Sequence, residues 1–436
     1  MLGFTEKIKN EKGFNLHFIK TKKYKTVSIV VKIKGNLERE TITKRALLPY
    51  ILQQGTENYA TKQDLQKKLA DLYGATLSID GGKKGESHIL SLRLELANEK
   101  FVPDASSITE EGIALLIELL FNPRKVNGSF DNAVILREKD TLLRKIQSVQ
   151  DDKMAYANLR LIEEMCENEN YRLHVHGYEE DLAEIDSTNL YNYYKKMLME
   201  DQIDIYIQGD YDEEHINYIL SPMLNKQLED KKSNVLTEKS SKQKQTKKEI
   251  KQPKEIIEKQ QLQQAKLHIG YRTNVTFRDD DYSALHVFNG LFGGFPSSKL
   301  FINVREKNSL AYYAASRMES QKGLLLVFSG IAPEDYEKAR DIIRLQVEAM
   351  KNGDFSLEDM QQIKELITNQ LLETMDHPQG LIELLYQQVL SDWILPPKQL
   401  IDNINKVTKE DVVQVAKKLE EDTLYLLTTK GDASDE

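Results

Sequence analysis

Histidines, acids, cysteines and hydroxyls can hold metal or attack a substrate, and their placement bounds the chemistry. The chain of 436 residues has eight histidines: His17, His88, His174, His176, His215, His268, His286 and His377. Only His174 and His176 stand close together, in YRLHVHGYEEDL. If that stretch is extended, both imidazoles fall on one side with Glu179 and Glu180 nearby, and a metal site is conceivable. It also reads as an ordinary connecting segment. Cys166 is the sole cysteine and has no histidine at helical spacing, so it reads as a structural thiol rather than a nucleophile. The glycines of NGLFGGFPSS lack the lysine and spacing of a phosphate-binding loop. Gly290, Gly293 and Gly294 read instead as a flexible turn. No Cys–His or Ser–His–Asp grouping stands out. Arg305 and Tyr312, seven residues apart, offer a guanidinium fork suited to a carbonyl or carboxylate and a phenolic donor. Taken alone, they read as a helix-end cation beside Glu306 and a core aromatic.

These groups sit in a chain long enough for two or three cores. Hydrophobic residues make up 40% and charged residues 30%, the balance of a globular protein. A formal net charge of −9 lacks the basic footprint of a nucleic-acid binder. No run of about 18 apolar residues suits a membrane span, and MLGFTEKIKNEKGF has no signal-like apolar core. One cysteine cannot form an internal disulfide, so a reducing, cytoplasmic setting is expected.

The elements that must position the site follow from periodicity. Residues 14–19 and 25–34 read as strands, with Val27, Ile29, Val31 and Ile33 alternating at the pleat period. Helices are expected at 38–54 and 62–73, a hairpin over 75–96, and helices at 108–121, 130–147, 154–165 and 190–199 before a strand at 203–208. Residues 226–254 are crowded with Lys, Gln, Ser and Thr and read as a linker. The order then recurs: a strand at 262–271, a helix at 281–291, a hairpin, helices at 334–351, 357–375, 380–393 and 409–419, and a strand at 423–428. STNLYNYYKKML before IDIYIQGD resembles TKEDVVQVAKKL before TLYLLTTKGD, which suggests a duplication.

Residues 297–331, SSKLFINVREKNSLAYYAASRMESQKGLLLVFSGI, resemble the C-terminal signature of the pitrilysin/insulinase zinc peptidases, the inverzincins. Ser297, Ser298, Arg305, Glu306, Lys307, Leu310, Ala311, Tyr312, Gly323 and Leu324 carry the match. An inverzincin site is a helical His-x-x-Glu-His, with both histidines on one zinc and the glutamate activating its water. The matching segment is ALLPYILQQGT, residues 46–56, anchored by Gly55 and Thr56. Ala46 and Tyr50 take the places of the histidines and Pro49 that of the glutamate. On REKDTLLRKIQ, Lys145 takes the place of the third ligand. A methyl group, a ring, a phenol and a cation cannot hold a dication, and Pro49 is expected to kink its helix. The resemblance therefore implies neither a zinc cofactor nor catalysis.

What the resemblance leaves is substrate binding. In active relatives an arginine and a tyrosine at the positions of Arg305 and Tyr312 reach the substrate near the scissile bond. The implied architecture is α+β, with two homologous domains, each an antiparallel β-sheet covered by helices. The expected boundaries are 1–225 for the domain with the degenerate zinc site, 226–254 for the linker and 255–436 for the substrate-binding domain. The implied role is a non-catalytic subunit that binds peptide and supports an active zinc-peptidase partner, as a heterodimer or with itself as a homodimer, in the cytoplasm. Scaffolding without peptide handling, or a metal relocated to His174 and His176, are the competing readings.

Overall fold

The computed structural model describes residues 3–103, 107–231 and 252–429, so most of the expected linker lies outside the described residues. The chain divides into two compact units.

The first unit uses residues up to Ser148 and resumes at Leu173. Its elements begin with β1 (Thr5–Glu11), β2 (Phe14–Lys20), β3 (Thr26–Asn36), α1 (Ile42–Leu52), α2 (Lys62–Asp71), β4 (Thr76–Lys84) and β5 (Ser87–Ala97). They continue with α3 (Ile108–Phe121) and α4 (Asn132–Ser148). After α5 (Lys153–Met165), which belongs to the second unit, come α6 (Ser187–Glu200), β6 (Gln202–Gly209) and α7 (Glu213–Gln227). The strand order is β1-β2-β6-β3-β5-β4, antiparallel except for the parallel pair β2–β6. Val27, Ile29, Val31 and Ile33 point to the same face, as their alternation requires, and join Leu47, Leu116 and Leu190 from the helices in one core. Each such fully buried side chain contributes roughly 1.5–3 kcal/mol.

The second unit contains β7 (Lys254–Gln260), β8 (Ala265–Arg272), α8 (Tyr282–Asn289), β9 (Ala311–Glu319), β10 (Leu324–Ile331) and α9 (Tyr336–Lys351). Then follow α10 (Leu357–Asp376), α11 (Pro378–Ser391), α12 (Pro397–Lys406), α13 (Lys409–Lys417) and β11 (Glu420–Thr429). Its order, β7-β11-β8-β10-β9, repeats β2-β6-β3-β5-β4, and the pair β7–β11 is again parallel. Both sheets thus refine the antiparallel expectation by one strand pair each.

One segment crosses the expected boundary. Residues 149–172, placed by sequence in an unbroken 1–225 domain, pack in the second unit. Ala157, Leu161 and Met165 form the apolar stripe of α5 and, with Cys166 just after its end, lie on Leu324, Leu326, Phe328, Tyr425 and Leu427. Cys166 is thereby a buried free thiol.

Candidate functional site

The metal position of the resemblance falls on α1, where two of the three replaced positions, Ala46 and Pro49, are buried. Ala46 is buried in the first unit's core. Pro49 lies inside the helix, which continues to Leu52 although the ring removes one backbone donor. The Gly55–Thr56 turn that follows is fixed by Thr56, which is fully buried and whose hydroxyl donates to Glu118 at 2.5 Å. Tyr50 is only partly buried, and its phenol is held above the usual range, first by burial and then by the negative charge of Glu138. Glu138 is a buried carboxylate on α4, hydrogen-bonded by Arg137 Nε at 2.8 Å. It stands seven residues before Lys145, two helical turns along the same face. That periodicity was available in the sequence, yet the pairing of Tyr50 with Glu138 became visible only when α1 and α4 packed together.

His174 and His176 do not lie on an extended strand. Gly177 N–H donates to the His174 carbonyl at 2.9 Å, closing a turn. The cause is Gly177, at φ +74°, where an added Cβ would lie 2.4 Å from Thr43 Oγ1. His174 stacks on Tyr178 at 4.8 Å between ring centroids, and Tyr178 carries the Arg39 guanidinium on its ring at 4.0 Å. Among the described residues, no group of three or more His, Cys, Asp or Glu side chains is placed to hold a metal ion. The zinc of the inverzincins therefore does not fit the residues present, either on α1 and α4 or at the relocated position.

Arg305 and Tyr312 occupy a different setting in the second unit. Residues Phe301–Glu306 form a π-helical turn, a wide helix form frequent at functional sites, in which Lys307 N–H donates to Ile302 O at 2.8 Å. Arg305 is exposed, and its guanidinium lies 4.6 Å over the Phe301 ring rather than on Glu306. Tyr312 is 78% exposed on β9, which corrects its reading as a core aromatic. Among the described residues β9 pairs with β10 alone and forms the sheet edge. The glycine-rich turn beside it also differs from expectation. Gly290 and Gly293 are buried, and an added Cβ would lie 2.4 Å from Ile363 and 2.5 Å from Ser316. Close packing, not flexibility, requires glycine there.

Known proteins with this arrangement agree. Residues 184–367 match the Peptidase M16 inactive domain. Over 422 residues the chain is 45% identical to YmfF of Bacillus subtilis (strain 168), described as a probable inactive metalloprotease, and the match covers 97% of each. YmxG of the same organism, described as an uncharacterized zinc protease, is 21% identical over 322 residues, 70% of this chain and 73% of that one. The crystal structure of a conserved protein from Enterococcus faecalis V583 superimposes with a TM-score of 0.87 at 33% identity, covering 98% of this chain and 99% of that one. With the metal ligands replaced at Ala46, Tyr50 and Lys145 and the glutamate base at Pro49, the chain belongs to the M16, or pitrilysin/insulinase, peptidase family as a catalytically inactive member.

Proposed function

We propose that the protein is a cytoplasmic, non-catalytic subunit that holds peptide and supports an active zinc peptidase of its own family. The observation that carries the reading is the contrast within one chain. The metal-binding set is gone, while Tyr312 and Arg305, whose guanidinium rests on the Phe301 ring of its own turn, stand exposed beside an open sheet edge. An exposed guanidinium and phenol can donate to a carbonyl or carboxylate arriving from solvent. An edge strand presents unpaired backbone groups, to which an extended peptide adds with little regard to sequence. The likeness to YmxG supports a partner that retains zinc chemistry. The single cysteine and the absence, among the described residues, of a helix able to cross a membrane are compatible with the cytoplasmic placement.

Affinity capture of the tagged full chain from its native cells, followed by mass spectrometry, tests the pairing. A stoichiometric homologue carrying His-x-x-Glu-His is the expected companion. Recovery of the chain alone, or only with a second copy of itself, rules out the heterodimer. Arg305→Ala in the captured pair then separates peptide handling from scaffolding, because a scaffold leaves the partner's activity unchanged.

A further inference from the structure

The two sheets end differently at one edge, and we propose that a second copy of this chain completes the second sheet, β7 pairing with β7 about a two-fold axis. In the first sheet β2, the counterpart of β7, carries the antiparallel β1 on its outer side. Among the described residues β7 pairs with β11 alone, so its outer backbone groups form an open edge. The strand reads KEIIEKQ, and its two faces are used differently.

The face under α5 is engaged within its own unit. Lys254 donates to Glu164, Ile256 packs against the apolar cluster of α5, and Glu258 accepts from the hydroxyls of Tyr156 and Tyr425, each at 2.7 Å. Side chains alternate along a strand, so Glu255, Ile257 and Lys259 share the opposite face, and all three are exposed. Ile257, 51% exposed, stands at the centre, with an anion two residues before it and a cation two residues after. The Tyr336 hydroxyl steadies Glu255 at 2.7 Å, and among the described residues no carboxylate pairs with Lys259.

Symmetry and charge select the occupant and its register. Facing residues of an antiparallel pair lie on the same side of the sheet, and a two-fold axis normal to the sheet keeps each side on itself. A residue at the axis therefore faces its own copy. Centred on Ile257, the pairing sets isoleucine against isoleucine and, at both ends, Glu255 against Lys259 of the other copy. Centred on Ile256, it would set Lys254 against Glu258, which Glu164 and the two tyrosines already engage, and leave Ile257 facing a carboxylate. The exposed triad thus complements itself in one register, and β9, at the far end of the same sheet, stays open. A lysine on a bare edge has a second use, to repel other strands, and that use makes the opposite prediction.

The test is sedimentation velocity of the full-length protein over a range of concentrations. The expected result is a reversible monomer–dimer equilibrium. Lys259→Glu sets glutamate against glutamate at both ends and is expected to raise the dissociation constant at least about tenfold. Glu255→Lys combined with Lys259→Glu restores opposite charges and, with them, the dimer. A monomer at every concentration, a dimer indifferent to Lys259→Glu, or a double variant as weak as the single one overturns the proposal. So does a dimer tightened by Lys259→Glu, which would mark the lysine as the guard of a free edge. If Lys259→Glu costs the captured zinc-peptidase companion rather than the second copy, that companion occupies β7 and the self-pairing falls. Absence of self-pairing with the companion retained removes this inference and leaves the proposed function standing.

Discussion

On the first sheet, the face turned away from the helical core carries His17, Lys32, Ser91, Asp204, Tyr206 and Gln208, all buried. On the second sheet, the corresponding face carries Leu324, Leu326, Phe328, Tyr425 and Leu427 beneath α5, with the buried His268 among them against Phe328. The strand order is the same, so topology does not explain the difference. The 149–172 segment does, because it supplies one sheet with an apolar lid. On the other sheet Asn15, His17 and Asp204 hydrogen-bond one another, while both amide atoms of Gln208 are buried without a hydrogen-bond partner among the described residues. Each unit also holds a buried carboxylate near the end of a central strand. Asp422 receives Arg272 Nε at 2.8 Å, a cation that never titrates in the working range. Asp204 receives Asn15 Nδ2 at 2.8 Å and His17 Nε2 at 3.3 Å, and the other nitrogen of His17 lies 3.2 Å from Glu6. An imidazole between two carboxylates must donate from both nitrogens, so this arrangement needs the proton.

Removing the lid contact has the largest expected effect. Leu161→Ala opens a cavity under α5 and lowers stability by about 3 kcal/mol. Urea unfolding followed by Trp393, the sole tryptophan and a residue of the second unit, reads this directly. Hydrogen exchange is expected to rise first in β8, β10 and β11. An unchanged midpoint would mean that α5 is not what holds the apolar face.

The polar face is expected to respond to pH. Burial opposes the charge on His17, but its hydrogen bonds to Asp204 and Glu6 outweigh that and raise its pKa above the ordinary 6.5. A raised folded-state value means that the stabilisation is fully present below that ordinary value. It is lost as pH climbs through the higher folded value. His17→Asn is therefore expected to cost about 2 kcal/mol at pH 6 and much less at pH 9, as read by exchange protection of β2 and β6. A deficit that does not change with pH would show that His17 is neutral and serves by packing on Tyr206, with ring centroids 4.1 Å apart.

A smaller pair of changes asks how far the repeat goes. Asp186 and Asn189 close α6 with a reciprocal capping box, and Thr408 and Asp411 do the same for α13. Asp186→Ala and Thr408→Ala are each expected to cost about 1 kcal/mol, each in its own unit. These helices are the ones whose sequences betrayed the duplication. Strong periodicity made β3, α3 and α10 legible in the same way. The elements that escaped were those without it: β1 is a polar edge strand, α7 carries Pro222 in its middle, α12 opens on two prolines, and β7 lies in a run rich in lysine and glutamate. In the candidate site, identities at 46, 49, 50 and 145 sufficed to show that zinc chemistry had gone. The neighbours that now define that place, Glu138 and the Gly177 turn, depend on contacts between distant segments, which no local pattern encodes.

The smallest expected stability effect tests the open edge. Arg305 touches only the Phe301 ring at its guanidinium, and Tyr312 is mostly in solvent, so neither supports the fold beyond a surface contact. Arg305→Ala and Tyr312→Phe are each expected to change unfolding free energy by no more than about 0.5 kcal/mol. If the proposed pairing is right, the same changes lower the partner's peptidase activity by at least about tenfold, because a donor aimed at developing charge is worth more than its contacts in the resting fold. Stability unchanged with activity lost would separate this edge from β4, its counterpart in the first sheet, where the edge lies beside a site that has lost its metal. Stability lost in step with activity would instead mark Arg305 and Tyr312 as supports of the π-helical turn, since a residue that merely props its own element cannot weaken function without weakening the fold.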